Sequence, residues 1–345
     1  MAKTIDDRLE NWPDIRDPYR TEEVGLLLGN GASQAVWTKF SYRSLYELAC
    51  DPTRPESLAT AQQEVFSKME TTNFEQVLWA LATTRMVCNI LNKPFEDVSE
   101  HYEQIRQALI HAVRDIHIPH ASVTDSVRTR LRDIFGQFDY IYSTNYDLLL
   151  YWVVMDEKKD FKDFLWYERF DSSDAHVWGD VTKVLFLHGA LHLYHDVNGQ
   201  TIKQSHNDEK GDILSQFYSD DALIPLFVSE GESSDKLRSI RRNDYLSFAY
   251  WKLAFHRGPM IVFGSALNEQ FDKHILDAMT NWKRYDQGRF KGKAPRRKLA
   301  ISMLPGPSST IISEKNRLTA ALSDCDVQFF DATTHPLGEA RLRIV

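Results

Sequence analysis

Four short groups of glycine and polar residues in this sequence have the residue types for binding or catalysis, and each follows an apolar run. In chain order they are Gly29-Asn30-Gly31-Ala32-Ser33, Thr144-Asn145-Tyr146-Asp147, His188-Gly189 and Gly264-Ser265-Ala266-Leu267. Glycine lets a ligand or another backbone come close, and amide, carboxylate and imidazole groups can bind, orient or deprotonate a polar ligand. If the apolar runs are strands of one sheet, the four groups meet at one ligand site.

The first group has features of a phosphate-binding turn. It stands between a short apolar run and a predicted helix, where small residues let backbone N–H groups and the positive end of the helix approach a pyrophosphate. The full G-x-G-x-x-G spacing is absent, so a plain tight turn explains the two glycines equally well. We take Gly29, Asn30, Gly31 and Ser33 as candidate cofactor contacts.

The last group repeats this arrangement. Gly264 and Ser265 follow another apolar run, and Asp272 and His274 lie in the helix that comes next. This turn and helix can hold the adenosine side of a dinucleotide. A turn and a helix cap explain Gly264 and Ser265 equally well.

The two middle groups carry the polar side chains. Asn145 and Asp147, at the end of a predicted strand, can present an amide and a carboxylate to a carboxamide and a ribose hydroxyl. Thr144, next to them, is a further candidate cofactor contact. Thr144 or Asn145 can instead cap the following helix, which is the commoner role of these residue types. His188 is expected at the tip of the next strand, where Gly189 allows a sharp turn, although a single histidine there is more often structural.

The sequence does not predict a metal site. His188, His192 and His195 have a spacing that converges on a helix but not on the strand and turn predicted here, and no H-E-x-x-H motif accompanies them. The pattern of cysteines excludes a disulfide framework and a recognisable cysteine zinc site. The three cysteines lie far apart and form no C-x-x-C pair: Cys50, Cys88 and Cys325.

Strands and helices that must position these residues alternate along the chain. Apolar runs predict strands at 24–28, 139–143, 184–187, 223–228, 260–263, 298–303 and, at the sheet's edge, 327–330. Helical periodicity predicts helices at 33–50, 148–155, 236–256, 269–282 and 308–322. This alternation predicts an α/β fold, with a Rossmann-like, mostly parallel sheet and helices on both faces. Ligands bind beyond the carboxyl ends of such strands, where all four groups fall.

The chain is expected to consist of an N-terminal arm, residues 1–23, and one domain, residues 24–345, with two additions. Residues of about 54–132 have a helical pattern and form a predicted insertion. Glu75 in that insertion is a further site candidate, although a carboxylate on an amphipathic helix usually lies on the solvated face. Residues of about 190–221 are polar and carry two turn signals, which predict a small irregular excursion or lid.

The composition excludes several classes of protein. With 43% hydrophobic and 26% charged residues the chain is typical of a folded protein, and its net charge of −8 provides no basic field for direct nucleic-acid binding. We interpret the basic stretch 289–298 as a solvated loop. No signal peptide or membrane span is recognisable, so we expect a cytoplasmic protein. Gly-x-Ser-x-Gly, P-loop and kinase motifs are absent.

Taken in order, the four groups resemble the NAD site of sirtuins. The S-T-N-Y-D segment at 143–147 and the L-H-G segment at 187–189 resemble more closely the bacterial sirtuin-like NAD-hydrolysing effectors of anti-phage defence. By this resemblance Asn145 and His188 are the catalytic pair, and Asp147 is the carboxylate on the nicotinamide side. The resemblance also implies that NAD is the substrate. The NAD contacts that it implies are Gly29, Gly31, Ser33, Gly264 and Ser265.

The implied activity is hydrolysis of NAD to nicotinamide and ADP-ribose by a regulated effector. Homo-oligomers and a partner such as an ATPase or an Argonaute-type protein are implied as well. In this hydrolase Asn145 positions water or the ribose hydroxyls, and His188 acts as a general base.

Three alternatives to hydrolysis stay open: protein deacylation, ADP-ribosyl transfer, and a non-catalytic dinucleotide sensor or scaffold. Protein-deacetylating sirtuins carry a four-cysteine zinc module after the His-Gly pair. This chain has no cysteine between His188 and Cys325, which disfavours deacylation more than NAD binding.

Overall fold

A computed structural model describes most of the chain. The described residues are 5–54, 56–118, 120–165, 168–174, 180–195, 200–204, 224–228, 232–280 and 296–344. Both turn signals of the predicted excursion, Asn198-Gly199 and Lys210-Gly211, lie outside the described residues, as does the predicted basic loop up to residue 295.

Within these ranges the chain forms twelve α-helices. They are α1 Trp12–Ile15, α2 Asn30–Val36, α3 Tyr42–Ala49, α4 Thr60–Lys68, α5 Phe74–Ile90, α6 Glu96–Ile116, α7 Asp125–Phe135, α8 Leu149–Asp156, α9 Ser233–Arg242, α10 Asp244–Ala254, α11 Glu269–Thr280 and α12 Ser308–Ala321.

The described residues also form ten strands. They are β1 Gly25–Leu28, β2 Tyr140–Ser143, β3 Phe161–Lys162, β4 Thr182–Phe186, β5 Gly189–His195, β6 Thr201–Lys203, β7 Ile224–Phe227, β8 Met260–Phe263, β9 Arg297–Met303 and β10 Cys325–Asp331.

Seven strands form one parallel sheet, in the order β10-β9-β8-β1-β2-β4-β3. Every neighbouring pair in this sheet is parallel, and helices flank it. The predicted Rossmann-like α/β fold is therefore confirmed, and β10 lies at the edge where the sequence predicts it. The short strand β3 at the other edge is not among the predicted strands.

β1 lies at the centre of this sheet because it is apolar on both faces. Leu26 and Leu27 are fully buried, and a strand covered on both faces needs such a continuous apolar run. Full burial of one leucine side chain contributes about 1.5–3 kcal/mol. The chain leaves β1 towards β2 on one side and later returns to β8 on the other. The β1–β8 boundary is therefore the switch point where ligands bind in such sheets.

The segment 223–228 does not join the parallel sheet, so this part of the sequence prediction is wrong. Its strand, β7, pairs antiparallel with β5, which also pairs antiparallel with β6. β5 and β6 lie in the segment that was predicted to be irregular. The error has a physical cause, because an apolar run predicts a buried strand without specifying the sheet that buries it.

Two helices predicted as continuous are each divided in the structure. The first, 33–50, becomes α2 and α3, separated at Trp37, whose extended backbone ends α2. The second, 236–256, becomes α9 and α10, separated at Asn243. The Asn243 side chain accepts a hydrogen bond from the backbone N–H of Leu246 at 2.7 Å. Asparagine favours this helix-start position, so this second break has a signal in the sequence.

The predicted helical insertion corresponds to α4–α7, and the N-terminal arm packs on the sheet. The ring of Trp12 in the arm lies 5.0 Å from that of Phe330 on β10 and 4.8 Å from that of His335. Glu10 forms a parallel bridge with Phe330. These contacts make the arm part of the packing of the sheet edge. Among the described helices, none combines the length and the apolar character needed to cross a membrane.

Candidate functional site

A cavity of about 360 Å³ opens beyond the carboxyl ends of β1, β2, β4 and β8. Parallel strands in register end at the same edge of a sheet, so the groups that follow them meet there. Of the eleven residues predicted from the sequence, nine line this cavity: Gly29, Asn30, Gly31, Thr144, Asn145, His188, Gly264, Ser265 and Asp272. The predicted catalytic pair therefore lies in one cavity.

The two glycine turns on the cavity wall pack backbone against backbone. The Gly31 N–H donates to the Gly264 carbonyl at 2.8 Å. Gly264 has a φ of +70°, and a Cβ there would lie 2.3 Å from the backbone nitrogen of Ala32. A side chain at this position would therefore separate the turns. The Gly31 N–H is also committed to Gly264, so close packing of the two turns is the role that the structure supports for these glycines.

Asn145 lines the cavity and has an unpaired side-chain carbonyl oxygen. Its Nδ2 donates to the Gly29 carbonyl at 3.0 Å and to the Ser33 hydroxyl at 2.8 Å, which fixes the orientation of the amide. Its Oδ1 is buried and makes no hydrogen bond to any described residue. A buried acceptor without a partner costs free energy unless a ligand or water supplies a donor.

Ser33 and Asp147 lie one layer behind Asn145 and do not line the main cavity. They line a smaller cavity of about 30 Å³, which Asn145 also borders. Ser33 Oγ donates to Asp147 Oδ2, and the backbone N–H of Leu149 donates to Asp147 Oδ1 at 2.9 Å. Asp147 therefore accepts from the first backbone N–H of α8 and orients Ser33, which in turn accepts from Asn145. Neither Thr144 nor Asn145 caps α8, whose N-cap residue is Leu148, and Thr144 Oγ1 donates to the Leu28 carbonyl at 3.1 Å.

His188 is a buried, neutral imidazole on the cavity wall. Its Nε2 lies 2.9 Å from Nε2 of His274, which makes a hydrogen bond between the two rings. Burial, followed by the charge of Lys236 and then by His274, lowers the pKa of His188 well below its ordinary value. Burial and Lys236 also lower the pKa of His274 to about 3. Both rings are therefore uncharged near neutral pH.

Lys236 and His274 also belong to the site. The sequence points to His274 only as part of the helix after Gly264, and it gives Lys236 no role. Lys236 lines the cavity from α9, is 1% exposed, and lies over the ring of Phe271. His274 reaches His188 from α11. Both occupy the buried faces of their helices. A lysine or histidine at an apolar position of a helical pattern is the signal that identifies them in the sequence.

The opposite wall of the cavity is apolar and comes from α3 and the helical insertion. It consists of Leu45, Phe74, Leu109 and Val113. Gln34 of α2 adds an amide to the wall. Glu75 lies in α5, but its side chain is outside the described part of the structure. Together α3 and the insertion therefore supply apolar side chains that can pack against an aromatic ring.

Asn30 and Asp272 line the cavity while also holding local structure. Asn30 Nδ2 donates to the Phe40 carbonyl at 3.0 Å, which ties α2 to the start of α3. Asp272 Oδ2 accepts from the backbone N–H of Asn268 at 3.2 Å, at the start of α11. Both side chains therefore stabilise the turns that form this part of the cavity wall.

His192 belongs to the core, not to the cavity. Its ring packs 4.3 Å from that of Tyr151 and 4.7 Å from that of Phe186, measured between ring centroids. It lines neither the main nor the small cavity. Within the ranges that the structure describes, no group of three His, Cys, Asp or Glu side chains is placed to hold a metal ion.

Comparison with known proteins assigns most of the chain to one family. A family model with the description "Domain of unknown function (DUF4917)" matches residues 26–336. The match begins within β1 and ends beyond β10, so it covers every element that contributes to the cavity. A search of curated proteins finds no match.

Proposed function

The chain belongs to the DUF4917 family, and for this member we propose hydrolysis of NAD at the cavity of Asn145 and His188. The bond that breaks joins the nicotinamide ring to the ribose. The products are nicotinamide and ADP-ribose.

The observation that carries this proposal is the unpaired carbonyl oxygen of Asn145. Its amide nitrogen is held by Gly29 and Ser33, so the oxygen cannot exchange places with it without losing two hydrogen bonds. The group is therefore a preformed acceptor for a hydroxyl, a water or an amide N–H. Asn145 lines the same cavity as His188, whose ring is neutral. Ribose hydroxyls and an attacking water can donate to the Asn145 oxygen, and they can donate to or accept from the ring of His188.

The chemistry needs few groups from the protein. Cleavage of the bond between nicotinamide and ribose passes through an oxocarbenium-like transition state, as in glycoside hydrolysis. The pyridinium leaves as neutral nicotinamide, so no general acid is needed. The Asn145 oxygen accepts a hydrogen bond from water or from a ribose hydroxyl and orients it at the reacting carbon. The neutral ring of His188 accepts a proton or donates a hydrogen bond, depending on which nitrogen carries its hydrogen.

Charge and shape around this pair also suit a dinucleotide. Lys236 brings a cation to the cavity, which complements the negative charge of a pyrophosphate. The apolar wall of Leu45, Phe74, Leu109 and Val113 accommodates an aromatic ring. We place the pyrophosphate near Lys236 because the Gly31 N–H is already bonded to Gly264.

The test is NAD consumption by the purified full-length chain, alone and with candidate partners. We expect equimolar nicotinamide and ADP-ribose, and a loss of turnover on the order of 100-fold in Asn145→Ala. The matched control is Asn316→Ala, since Asn316 lies exposed on α12 and its side chain donates to the Ile312 carbonyl of the same helix. Equal turnover by Asn145→Ala and Asn316→Ala would contradict the proposal. NAD binding without consumption under every condition would favour a sensor instead.

Product analysis separates hydrolysis from transfer. An acyl-lysine peptide is added to the reaction, and the ADP-ribose product is identified by mass spectrometry. Free ADP-ribose supports hydrolysis, whereas acyl-ADP-ribose or a modified peptide supports transfer. The same assay with extract from phage-infected cells as activator tests the proposed role in anti-phage defence, for which we expect faster NAD loss than with uninfected extract.

A further inference from the structure

Two residues behind His188 determine where its ring hydrogen lies. Nε2 of His188 is hydrogen-bonded to Nε2 of His274 at 2.9 Å, and Nδ1 of His274 lies 2.9 Å from Oγ of Ser233. All three side chains are buried. We infer that Ser233 and His274 hold His188 in the tautomer with its hydrogen on Nδ1, so that the ring offers a hydrogen-bond donor to the cavity.

The chain of hydrogen bonds has a fixed end at Ser233. The backbone N–H of His274 can only donate, and it donates to Ser233 Oγ at 2.5 Å. This bond uses one lone pair of the Ser233 hydroxyl. The acceptor of the hydroxyl hydrogen is still to be identified. Within the described residues, Nδ1 of His274 is the other group that hydrogen-bonds to this hydroxyl. Two arrangements of the hydrogens are therefore open for the two neutral rings.

In the first arrangement every polar hydrogen between the rings and the serine has an acceptor. Ser233 donates its hydroxyl hydrogen to Nδ1 of His274, which must then carry its own hydrogen on Nε2. His274 donates that hydrogen to Nε2 of His188, whose hydrogen must therefore lie on Nδ1.

The second arrangement reverses both bonds and leaves one hydrogen unpaired. His188 donates from Nε2 to His274, which donates from Nδ1 to Ser233. Ser233 then accepts twice, and its own hydrogen has no acceptor among the described residues. A buried donor without an acceptor is unfavourable, so the first arrangement is the more stable one. A third state with an added proton is disfavoured because burial and Lys236 lower the pKa of both rings.

The nitrogen that faces the ligand is Nδ1 of His188. The residue lines the cavity, and its hydrogen bond to His274 uses Nε2. In the assigned tautomer this nitrogen carries a hydrogen and cannot take up a proton, so the ligand atom that meets it is an acceptor oxygen. The cavity then offers an acceptor from Asn145 and a donor from His188, which together match a vicinal diol or a carboxamide.

For the proposed reaction this assignment changes the role of His188, and this consequence rests on the proposed function. The sequence predicts a general base, whereas the assigned tautomer makes the ring a group that orients NAD. The reaction tolerates this, because nicotinamide leaves without proton transfer and water that has added to the oxocarbenium carbon loses its proton readily to solvent. Ser233 and His274 are then positioning residues.

The tautomer is tested by nitrogen NMR on the full chain labelled with ¹⁵N-histidine. Long-range ¹H–¹⁵N correlation separates protonated from bare ring nitrogens, and His188→Asn identifies the His188 signals by their loss. We expect a protonated Nδ1 and a bare Nε2. The reverse pattern would overturn the assignment. Ser233→Ala is expected to shift His188 towards the other tautomer, and Ser233→Thr, which keeps the hydroxyl, to preserve it. An unchanged pattern in a folded Ser233→Ala would remove Ser233 from the mechanism.

Activity provides an independent test with NAD as the probe. The amide nitrogen of asparagine can occupy the position of Nδ1, so His188→Asn keeps a donor but provides no base. We expect His188→Ala to lower kcat/KM on the order of 100-fold, and His188→Asn to recover roughly tenfold of that loss. Equal losses in the two variants would contradict the donor role. A wild-type chain that leaves NAD intact would refute the proposed function, while the NMR pattern would still decide the tautomer.

Discussion

Buried histidines lie near both ends of the parallel sheet, and the same physical cause keeps them neutral. At the carboxyl end, burial and the charge of Lys236 lower the pKa of His274 to about 3. At the amino end, burial and the charge of Arg297 lower the pKa of His256 to about 3. His256 Nδ1 also has a hydrogen-bond partner, the Tyr142 hydroxyl at 3.2 Å.

The two ends differ in the space next to the rings. His188 borders the cavity of about 360 Å³, whereas His256 borders neither this cavity nor the smaller one. A Cβ on Gly25 would lie 2.8 Å from Nε2 of His256, so the main chain of β1 fills that space. Arg297 donates to the carbonyls of Met279, at 2.8 Å, and His256. A lowered pKa thus accompanies burial at both ends, and only the adjoining cavity identifies a place for a ligand.

NAD turnover should show the largest difference between the two ends. His188→Ala is expected to lower kcat/KM on the order of 100-fold, because it removes a positioned polar group from the reacting centre. His256→Ala should leave kcat/KM unchanged in the folded protein, since His256 lines neither of the two described cavities. Nicotinamide release measures turnover, and circular dichroism verifies folding. A comparable loss of kcat/KM in both variants would show that the two ends of the sheet do not differ in function.

Glycine substitutions compare how rigid the two ends are. Gly264→Ala should lower the free energy of unfolding by about 3 kcal/mol or more, since a left-handed backbone costs about 1–2 kcal/mol and a backbone clash adds to it. Gly25→Ala meets the His256 side chain, which can shift, so about 1–2 kcal/mol is expected. Urea denaturation measures both values. A greater loss for Gly25→Ala would reverse this ranking.

The charge at the carboxyl end can be removed with Lys236→Met. We expect NAD binding to weaken roughly tenfold, which corresponds to the loss of one hydrogen bond to a charged group of about 1.5 kcal/mol. The pKa of His274 should rise above its value of about 3, because the charge of Lys236 is one of the two factors, with burial, that lower it. Calorimetry and proton NMR titration measure these changes. Lys273→Met, on the exposed side of α11, is the control, and an equal weakening by it would argue against a contact with Lys236.

The smallest expected effect is a pH dependence that both ends share. Between pH 6.5 and about 3 the unfolded chain binds protons at His256 and His274 while the folded chain does not. The contribution of the two neutral histidines to the free energy of unfolding is therefore fully present above pH 6.5. It falls as the pH is lowered, by at most about 1.4 kcal/mol per pH unit for each histidine. His256→Gln and His274→Gln should each reduce the loss between pH 7.5 and 5.5 by about 1 kcal/mol. Thermal denaturation across this pH range measures the loss, and unequal effects of the two variants would contradict a shared pH dependence.

Much of the cavity wall is predictable because each polar group directly follows a strand. The registers of β1 with β2 and β8, and of β2 with β4, place Leu28, Ser143, Phe186 and Phe263 in one row. Residues that come next in the chain must then lie at one edge of the sheet. This is why nine predicted residues reach the cavity although no single group is diagnostic.

Whether a residue lines the cavity or lies behind its wall is not predictable in this way. Asp147 follows the same strand as Asn145 but turns back to α8, because the free backbone N–H of Leu149 and the hydroxyl of Ser33 supply its hydrogen bonds. Lys236 belongs to a helix whose place against the cavity depends on its packing with α11. The charge pattern of α9 marks Lys236 as unusual without indicating what it faces.

From the sequence alone follow the alternation of strands and helices, the parallel sheet and the position of each polar group at a strand end. These properties depend on periodicity and turn chemistry within a few residues. The tertiary structure decided which sheet β7 joins, which side chains reach the cavity, and which stand behind them. Those outcomes depend on contacts such as Ser33–Asp147 and His188–His274, which join residues 114 and 86 positions apart. A local pattern carries no information about such partners, because they meet only when the whole core packs.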